Sequence, residues 1–435
     1  MLSYKIVRLR GIHSDNYIKK LYRTNPNLKY QSYQMQHDVF TKENITYPTG
    51  FSASMNKLGN ESYEIYYDCE ILQKQWAKEN ALHYDHNNWQ TEIILAQLRS
   101  LQPDVLFFQD IYSMPPEIRT NIKVLVPSIK LKVIHKGYPG ETRDLSDGDI
   151  LSVSSPILFY RYKELRPHLI YHSFDDSILT QLNNQQYIPI QKPIDFSFFG
   201  NVRPLERRYW MIRKLLELTN IHVWGYEPAI KEKINLNRKL TIKKVLRSNV
   251  KKILMILNDT GISTLKSVNF VPKKLKTLIQ EVDDSLKEHN KEINYRLDTD
   301  YPVNKTLKEI YPDRCHEPVY GIEYHNLLHN SGIVFNMHSS AAKNTVDNMK
   351  MFEITGVGSC LITDTGSNMQ DIFEPDKEVV TYSSVDEALE KVNYLLDHPD
   401  EAQQIAKAGQ ARTLRDHTIM NRCEQIDEVI KKHLA

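Results

Sequence analysis

The sequence predicts an α/β fold in two domains, each a parallel β-sheet flanked by helices, with a basic helical insertion in the second domain. Three observations predict it. The 435 residues exceed what one ordinary core accommodates. Short apolar runs alternate with helix-length amphipathic patterns in both halves, the pattern of strands joined by crossover helices. Between about residues 227 and 317 that alternation stops, and lysine and arginine accumulate instead.

In the first half, "YKIVRL" (4–9) and "SYEIYYD" (62–68) have strand character. "WQTEIILAQLRSLQ" (89–102) is helical by spacing, with Ile93, Ile94, Leu95, Leu98 and Leu101 on one stripe, and Pro103–Asp104 stops it. "VLFFQD" (105–110), "KLKVIHKG" (130–137) and "DILSVSS" (149–155) read as further strands. A second series starts with the strand "IDFSFFGN" (194–201), the helix "ERRYWMIRKLLELTN" (206–220) and the strand "IHVWG" (221–225). It resumes with helix "GIEYHNLLHNS", strand "GIVFNMHS", helix "NMKMFEITGVG", strand "SCLITD" and closing helices from Ser384 onward. The expected boundaries are 1–180 and 190–420 for the two domains, 227–317 for the insertion and 421–435 for a C-terminal helix. The junction falls near 172–193, where "QLNNQQ", Pro189 and Pro193 read as linker.

Charge narrows the function. The 56 basic residues nearly balance 54 acidic ones, so overall charge points to no nucleic-acid partner. Locally, Lys231 to Lys276 carries a net +11. Within it Leu240, Ile242, Val245, Leu246, Val250, Ile253, Leu254 and Leu257 recur at helical spacing between lysines and arginines, a basic amphipathic helix. Such a helix fits an anionic membrane surface or an anionic polysaccharide, and equally a subdomain whose apolar stripe packs inward. Cys69, Cys315, Cys360 and Cys423 are too scattered for a disulfide frame or a zinc site, and read as thiols in a reducing compartment. The opening "MLSYKIVRLRGIHSDNY" lacks a signal-peptide apolar core, and no run of about 18 apolar residues exists. A cytoplasmic protein is expected.

Ligands of open α/β sheets gather at the carboxyl ends of strands, near helix N-termini. Three such places stand out. "FFGNVRPLERR" puts Gly200 and Asn201 at a strand end, followed by Arg203, Arg207 and Arg208, a set suited to phosphate. A turn before a solvated helix would read the same way. "VFNMHSSAAKN" releases Asn336, His338, Ser339 and Ser340 from an apolar strand, although a lone histidine there is commonly structural. "KMFEITGVGSCLITD" places Lys350 and Glu353 one helical turn apart before Gly356 and Gly358. A carboxylate suits vicinal ribose hydroxyls and a lysine suits phosphate, while a surface Lys–Glu pair is the bland alternative. The "DGD" of Asp147–Asp149 mimics a metal-binding D-x-D but precedes a strand, so a turn is the better reading; "DTD" at Asp298–Asp300 is weaker.

Taken together, "DFSFFGNVRPLERR", "PVYGIEYHNLLHNSGIVFNMHSS" and the run from "NMKMFEITGVG" to "HTIMNR" resemble the group 1 glycosyltransferases. The branch they look closest to holds the CgeB-like proteins. The resemblance covers roughly 195–226 and 318–425, and reaches the first half only in "LQPDVLFFQD" and "LIYHSFDDSIL". It implies two Rossmann-like domains of the GT-B fold facing a cleft, an acceptor domain first and a nucleotide-sugar domain second. It implies transfer of a sugar, with retention, from a nucleotide-diphosphate sugar to a glycan or lipid-linked acceptor in surface polysaccharide or glycoconjugate synthesis. Glu353 would contact the ribose, with Lys350 and Arg203 facing the diphosphate. Asn336, His338, Ser339, Gly200, Asn201, Phe352 and Gly356 would complete the donor site, with no metal and no cofactor.

One departure concerns the acid that the wider group often carries seven residues before the ribose glutamate. Here it is Val346, so that either Asp347 or Asn348 substitutes or the donor sugar is held differently. For an acid or base at the acceptor, the first half offers Asp110, His135, Asp144 and His172. The expected cytoplasmic location becomes the inner face of the membrane if the Lys231–Lys276 helix binds there. Two other readings stand beside it: a nucleotide-sugar epimerase on the same frame, and a non-catalytic surface protein that keeps the fold.

Overall fold

The computed structural model describes residues 2–43, 47–140, 142–184, 194–203, 207–225, 227 and 305–435. The expected basic helix, most of the insertion, "DTD" and the Pro189–Pro193 linker lie outside the described residues.

Six strands form the first sheet: β1 (Lys5–Arg10), β2 (Glu61–Tyr66), β3 (Val105–Phe108), β4 (Leu131–Lys136), β5 (Ile150–Val153) and β6 (His168–Leu169). Their order is β2-β1-β3-β4-β5-β6 and every pair is parallel. The twofold alternation of side chains divides the apolar residues between two cores. Val7, Leu9, Leu106, Phe108, Ile134 and Leu151 meet Ile94, Leu95 and Leu98 of the helix Trp89–Leu101. On the other face Ile6, Val105, Val133 and Ile150 meet Ile419, Cys423, Ile426 and Ile430 of the last helix, Ile419–Leu434. Each such aliphatic side chain contributes about 1.5–3 kcal/mol by leaving water. The C-terminal helix therefore belongs to the core of the N-terminal sheet. Its entry is fixed by a capping box of Thr418 and Asn421, and by Phe174, whose N–H donates to His417 O (2.9 Å) and whose carbonyl accepts from Ile419 N (2.8 Å).

The second sheet consists of β7 (Ile194–Phe199), β8 (His222–Trp224), β9 (Cys315–His316), β10 (Ser331–Asn336), β11 (Cys360–Asp364) and β12 (Val380–Tyr382), ordered β12-β11-β10-β7-β8-β9. Contact density divides the chain into two compact units, residues 1–197 with 319–435, and residues 198–318. The smaller unit carries a tight approach: a Cβ on Gly225 would lie 1.9 Å from Gly200 O, so only glycine fits there. Glu227 caps the helix Leu307–Ile310, accepting from Leu307 N at 2.7 Å.

Among the described residues, the strands and helices read from the sequence occur within about three residues of their expected ends. Three strands escaped that reading. β6, β9 and β12 have two or three residues each, too short to carry a periodicity. The expected junction contains a helix, Ser177–Asn184, ahead of the undescribed stretch. All four cysteines are buried and unpaired. Among the described residues no helix is long and apolar enough to cross a membrane.

Candidate functional site

The chain reverses direction across the first sheet between β1 and β3, because β2 lies on one side of β1 and β3–β6 on the other. The carboxyl ends at such a switch point diverge and leave a crevice. Asp110, just past β3, sits there. Its Oδ2 accepts from Gly11 N (3.0 Å) and lies 2.8 Å from Nε2 of His13, while Oδ1 accepts from Tyr47 OH (3.2 Å). Asp68, past β2, accepts from the N–H groups of Ile12 and His13, both at 2.8 Å. These bonds hold His13 at φ +55°, an unusual backbone for a residue other than glycine.

Burial is the largest single influence on the His13 ring and acts to lower its pKa, but the Asp110 hydrogen bond and the Asp110 and Asp68 charges together outweigh it, and the pKa is raised. With Nε2–H donating to the carboxylate, Nδ1 keeps the lone pair, and the side chain is 36% exposed. That is the arrangement of a general base oriented by an acid. Sequence reasoning singled out Asp110 but missed His13. The available signal was "RLRGIH", a histidine three residues past a strand end.

His135 and His172 lie elsewhere. Their rings are 6.2 Å apart beneath the C-terminal helix, and His135 Nδ1 is 3.2 Å from Ser152 Oγ. Burial, followed by the neighbouring His172, pushes the His135 pKa down to about 3, and burial lowers that of His172. Both are neutral at pH 7. Asp144 is exposed and accepts from Ser146 N, and Asp147 is held by Arg119 at 2.7 and 3.0 Å. Asp147 and Gly148 lie in the expected turn before β5, with Asp149 accepting from Lys132 N.

In the second half, Asn336 ends β10 and is buried. Its amide donates to Thr363 Oγ1 (2.9 Å) and its Oδ1 accepts from Asn348 (3.0 Å). His338 has both ring nitrogens engaged: Nδ1 lies 2.8 Å from Asp364 Oδ1, and Nε2 accepts from Asp347 N (3.2 Å) and Asn348 N (3.4 Å). The ring thus orders the loop that leads to the helix Met349–Gly356, with the proton on Nδ1. Ser339 is exposed at the start of that loop.

Asn348 caps the helix through Met351 N, which places its N-terminus at the carboxyl edge of the sheet. Lys350 and Glu353 follow on its half-buried side. Glu353 Oε2 accepts from Tyr324 OH at 2.8 Å, and among the described residues no bond reaches Oε1. Burial and the Glu353 charge raise the Tyr324 pKa, so the phenol stays a donor. Tyr324 is another residue the sequence did not flag.

Two members of the expected donor set do something different. Phe352 is fully buried and packs on Phe373 and His417, with ring centroids 5.9 and 5.2 Å away. A Cβ on Gly356 would come within 2.4 Å of the Phe174 ring, so this glycine makes room for a side chain of the fold. Val346 is buried and framed by Asn368, which bonds both its N–H and its carbonyl at 2.8 Å. Neither neighbour replaces the missing acid openly: Asp347 is buried and accepts from Ser154 Oγ (3.3 Å), and Asn348 is occupied as the cap. In the smaller unit, Gly200 N donates to Trp224 O, Asn201 O accepts from Arg208 and Arg203 is exposed.

Comparison with solved structures matches the fold over nearly the whole chain. HepE of Anabaena, solved in complex with UDP-glucose, superposes with a TM-score of 0.52 at 9% identity, covering 99% of this chain and 100% of that one. A glycosyltransferase from Rickettsia africae gives 0.52 at 10% identity, covering 100% and 99%. Sucrose-phosphate synthase from Thermosynechococcus elongatus gives 0.50 at 9%, covering 98% of each. The fold is that of the GT-B glycosyltransferases. Residues 285–428, which hold Asn336, His338, Lys350 and Glu353, match the family described as Glycosyl transferase-like. Comparison with curated protein sequences gives no match.

Proposed function

We propose that the protein transfers a sugar from a nucleotide-diphosphate donor to a glycan or lipid-linked glycan hydroxyl. The observation that carries this reading is the open Oε1 of Glu353, one turn inside a helix that starts at the carboxyl edge of the second sheet, in the region that matches the Glycosyl transferase-like family. Oε1 accepts a ribose hydroxyl while Tyr324 holds Oε2. Lys350 and the N-terminal end of that helix favour the diphosphate, and this positive field takes the place of a metal.

On the acceptor side, Nδ1 of His13 takes the hydroxyl proton as the oxygen attacks the anomeric carbon. The bond from that carbon to the phosphate oxygen breaks, its electrons stay on the leaving diphosphate, and Asp110 stabilises the imidazolium. Direct displacement inverts the anomeric centre, so the dyad favours inversion over the retention that the resemblance implies. In a retaining transfer the leaving phosphate would accept the proton and His13 would only orient the acceptor. The product anomer, read by proton NMR, separates the two.

The decisive test is binding of UDP, GDP, CMP and dTDP sugars by thermal shift and calorimetry, repeated with Glu353→Ala. Stabilisation by one nucleotide class that is lost in the variant supports the reading, and no response to any of them overturns it. Turnover of the donor without acceptor would favour the epimerase. Membrane association through Lys231–Lys276 belongs to the same proposal and is tested by sedimentation with anionic vesicles.

A further inference from the structure

Gln90 at the start of the helix Trp89–Leu101, Tyr112 and Arg119 after β3, and Arg143, Asp144 and Asp147 after β4 line a groove of about 810 Å³. That volume lies in the upper part of the ~300–1,000 Å³ range of ligand pockets and holds more than one sugar ring. The groove borders the proposed base. Tyr112 lies in the single turn Ile111–Ser113 that follows Asp110, and Ser113 Oγ ties that turn back by donating to Asp110 O (2.8 Å).

The lining has the chemistry of a sugar site. Tyr112 is 53% exposed, and the Arg143 guanidinium lies 5.2 Å from its ring centroid, which steadies one face of the ring and leaves half of the side chain in solvent. Arg143 is itself held: its backbone N–H donates to Tyr162 OH (3.0 Å), and that hydroxyl donates to Arg143 O (3.1 Å). Arg119 and Asp147 pair through two bonds, at 2.7 and 3.0 Å, with both side chains largely buried. Each Asp147 oxygen thus spends one lone pair on Arg119 and keeps another for a hydroxyl. A pyranose presents an apolar C–H face and a rim of hydroxyls; a fixed aromatic ring among carboxylates, guanidinium and amide matches both.

Seven aromatic side chains stand exposed among the described residues, and four of them, Tyr112, Tyr138, Phe159 and Tyr160, follow the ends of three neighbouring strands, β3, β4 and β5. Such clustering marks a binding surface. The segments that carry it, residues 109–120, 137–149 and 154–162, hold six acids and three bases. Their net −3 disfavours an anionic lipid surface and acidic sugars alike. We propose that this groove binds a neutral oligosaccharide, with Tyr112 stacked on a pyranose ring. That the oligosaccharide is the acceptor, presenting its hydroxyl to His13, rests on the proposed transferase reading; the binding itself does not.

The test is binding of the full chain, without donor, to an array of immobilised oligosaccharides, some neutral and some bearing uronate or phosphate. Calorimetry follows with the mono-, di- and trisaccharide of the neutral series that binds. Affinity is expected to rise with chain length, to fall about tenfold or more in Tyr112→Ala and to persist in Tyr112→Phe, which keeps the ring. Tm stays at the wild-type value in both variants, since the side chain is half exposed. If no nucleotide sugar binds while neutral oligosaccharides still bind through Tyr112, the transferase reading fails and the glycan site stands. The proposal is overturned if no neutral oligosaccharide binds, if acidic ones are preferred, or if Tyr112→Ala binds as the wild type does. Sedimentation with vesicles of phosphatidylcholine and phosphatidylglycerol that is lost in Tyr112→Ala and Tyr160→Ala, with no glycan bound, assigns the exposed aromatics to a lipid surface and overturns it as well.

Discussion

Nε2 of His13 lies 2.8 Å from Oδ2 of Asp110, although the two residues are 97 positions apart and follow different strands. Their meeting depends on β1 and β3 being neighbours, and it creates a proton acceptor at the switch point of the first sheet. His13→Ala is expected to lower kcat by roughly 10²–10⁴-fold while leaving donor affinity unchanged, measured by steady-state kinetics and calorimetry. Loss of donor binding instead would place His13 in the donor site.

The same pair sets a pH dependence. The base works when His13 is deprotonated, and its pKa is raised by Asp110, so kcat/KM should climb with pH through a value above the ordinary histidine range. Asp110→Asn removes the charge that raises it, and the acid limb of the profile should move to lower pH. An unshifted limb would assign that limb to another group.

Glu353→Gln keeps the Tyr324 contact and the helix but gives up the charge on Oε1. A charge-assisted hydrogen bond is worth about 1.5–3 kcal/mol, so nucleotide affinity should fall roughly 10- to 100-fold with Tm unchanged. An affinity equal to wild type would remove Glu353 from the site.

Stability should decline in mild acid. Burial pushes the pKa of His417 down to about 4, and that of His135 to about 3, against about 6.5 in the unfolded chain. Between pH 6.5 and those values the unfolded chain binds the extra protons, so stability falls as pH falls, by about 1.4 kcal/mol per unit per group. Urea unfolding at pH 7.5, 6 and 5 measures the slope, and His417→Gln should reduce it. A slope unaltered in that variant would mean that His417 is not buried neutral.

Gly356→Ala presses a methyl group against the Phe174 ring, which is fully buried at the entry of the C-terminal helix. A loss of about 1–3 kcal/mol is expected by urea titration, and Phe174→Leu in the same chain should restore part of it. If nucleotide affinity falls while stability holds, the glycine serves the ligand instead.

The helix carrying Lys350 and Glu353 was legible because its local apolar pattern states its period, whereas the cap by Asn348 is a finding of the structure. Phe352 and Gly356, in the same motif, were given by the resemblance as donor-site residues, and their packing was not legible. Their neighbours Phe174, Phe373 and His417 come from distant segments. His338 was visible as a histidine at a strand end; that both its nitrogens are spent on Asp364 and on the loop backbone is a matter of three-dimensional placement.

By itself the sequence determined the alternation of strands and helices, the two sheets and the position of Glu353, since apolar period and capping act over a few residues. The tertiary structure decided which residues meet: His13 with Asp110, Tyr324 with Glu353, and the C-terminal helix on the N-terminal sheet. Those pairings come from strand order and from the burial of apolar faces between distant segments, and neither is written in local spacing.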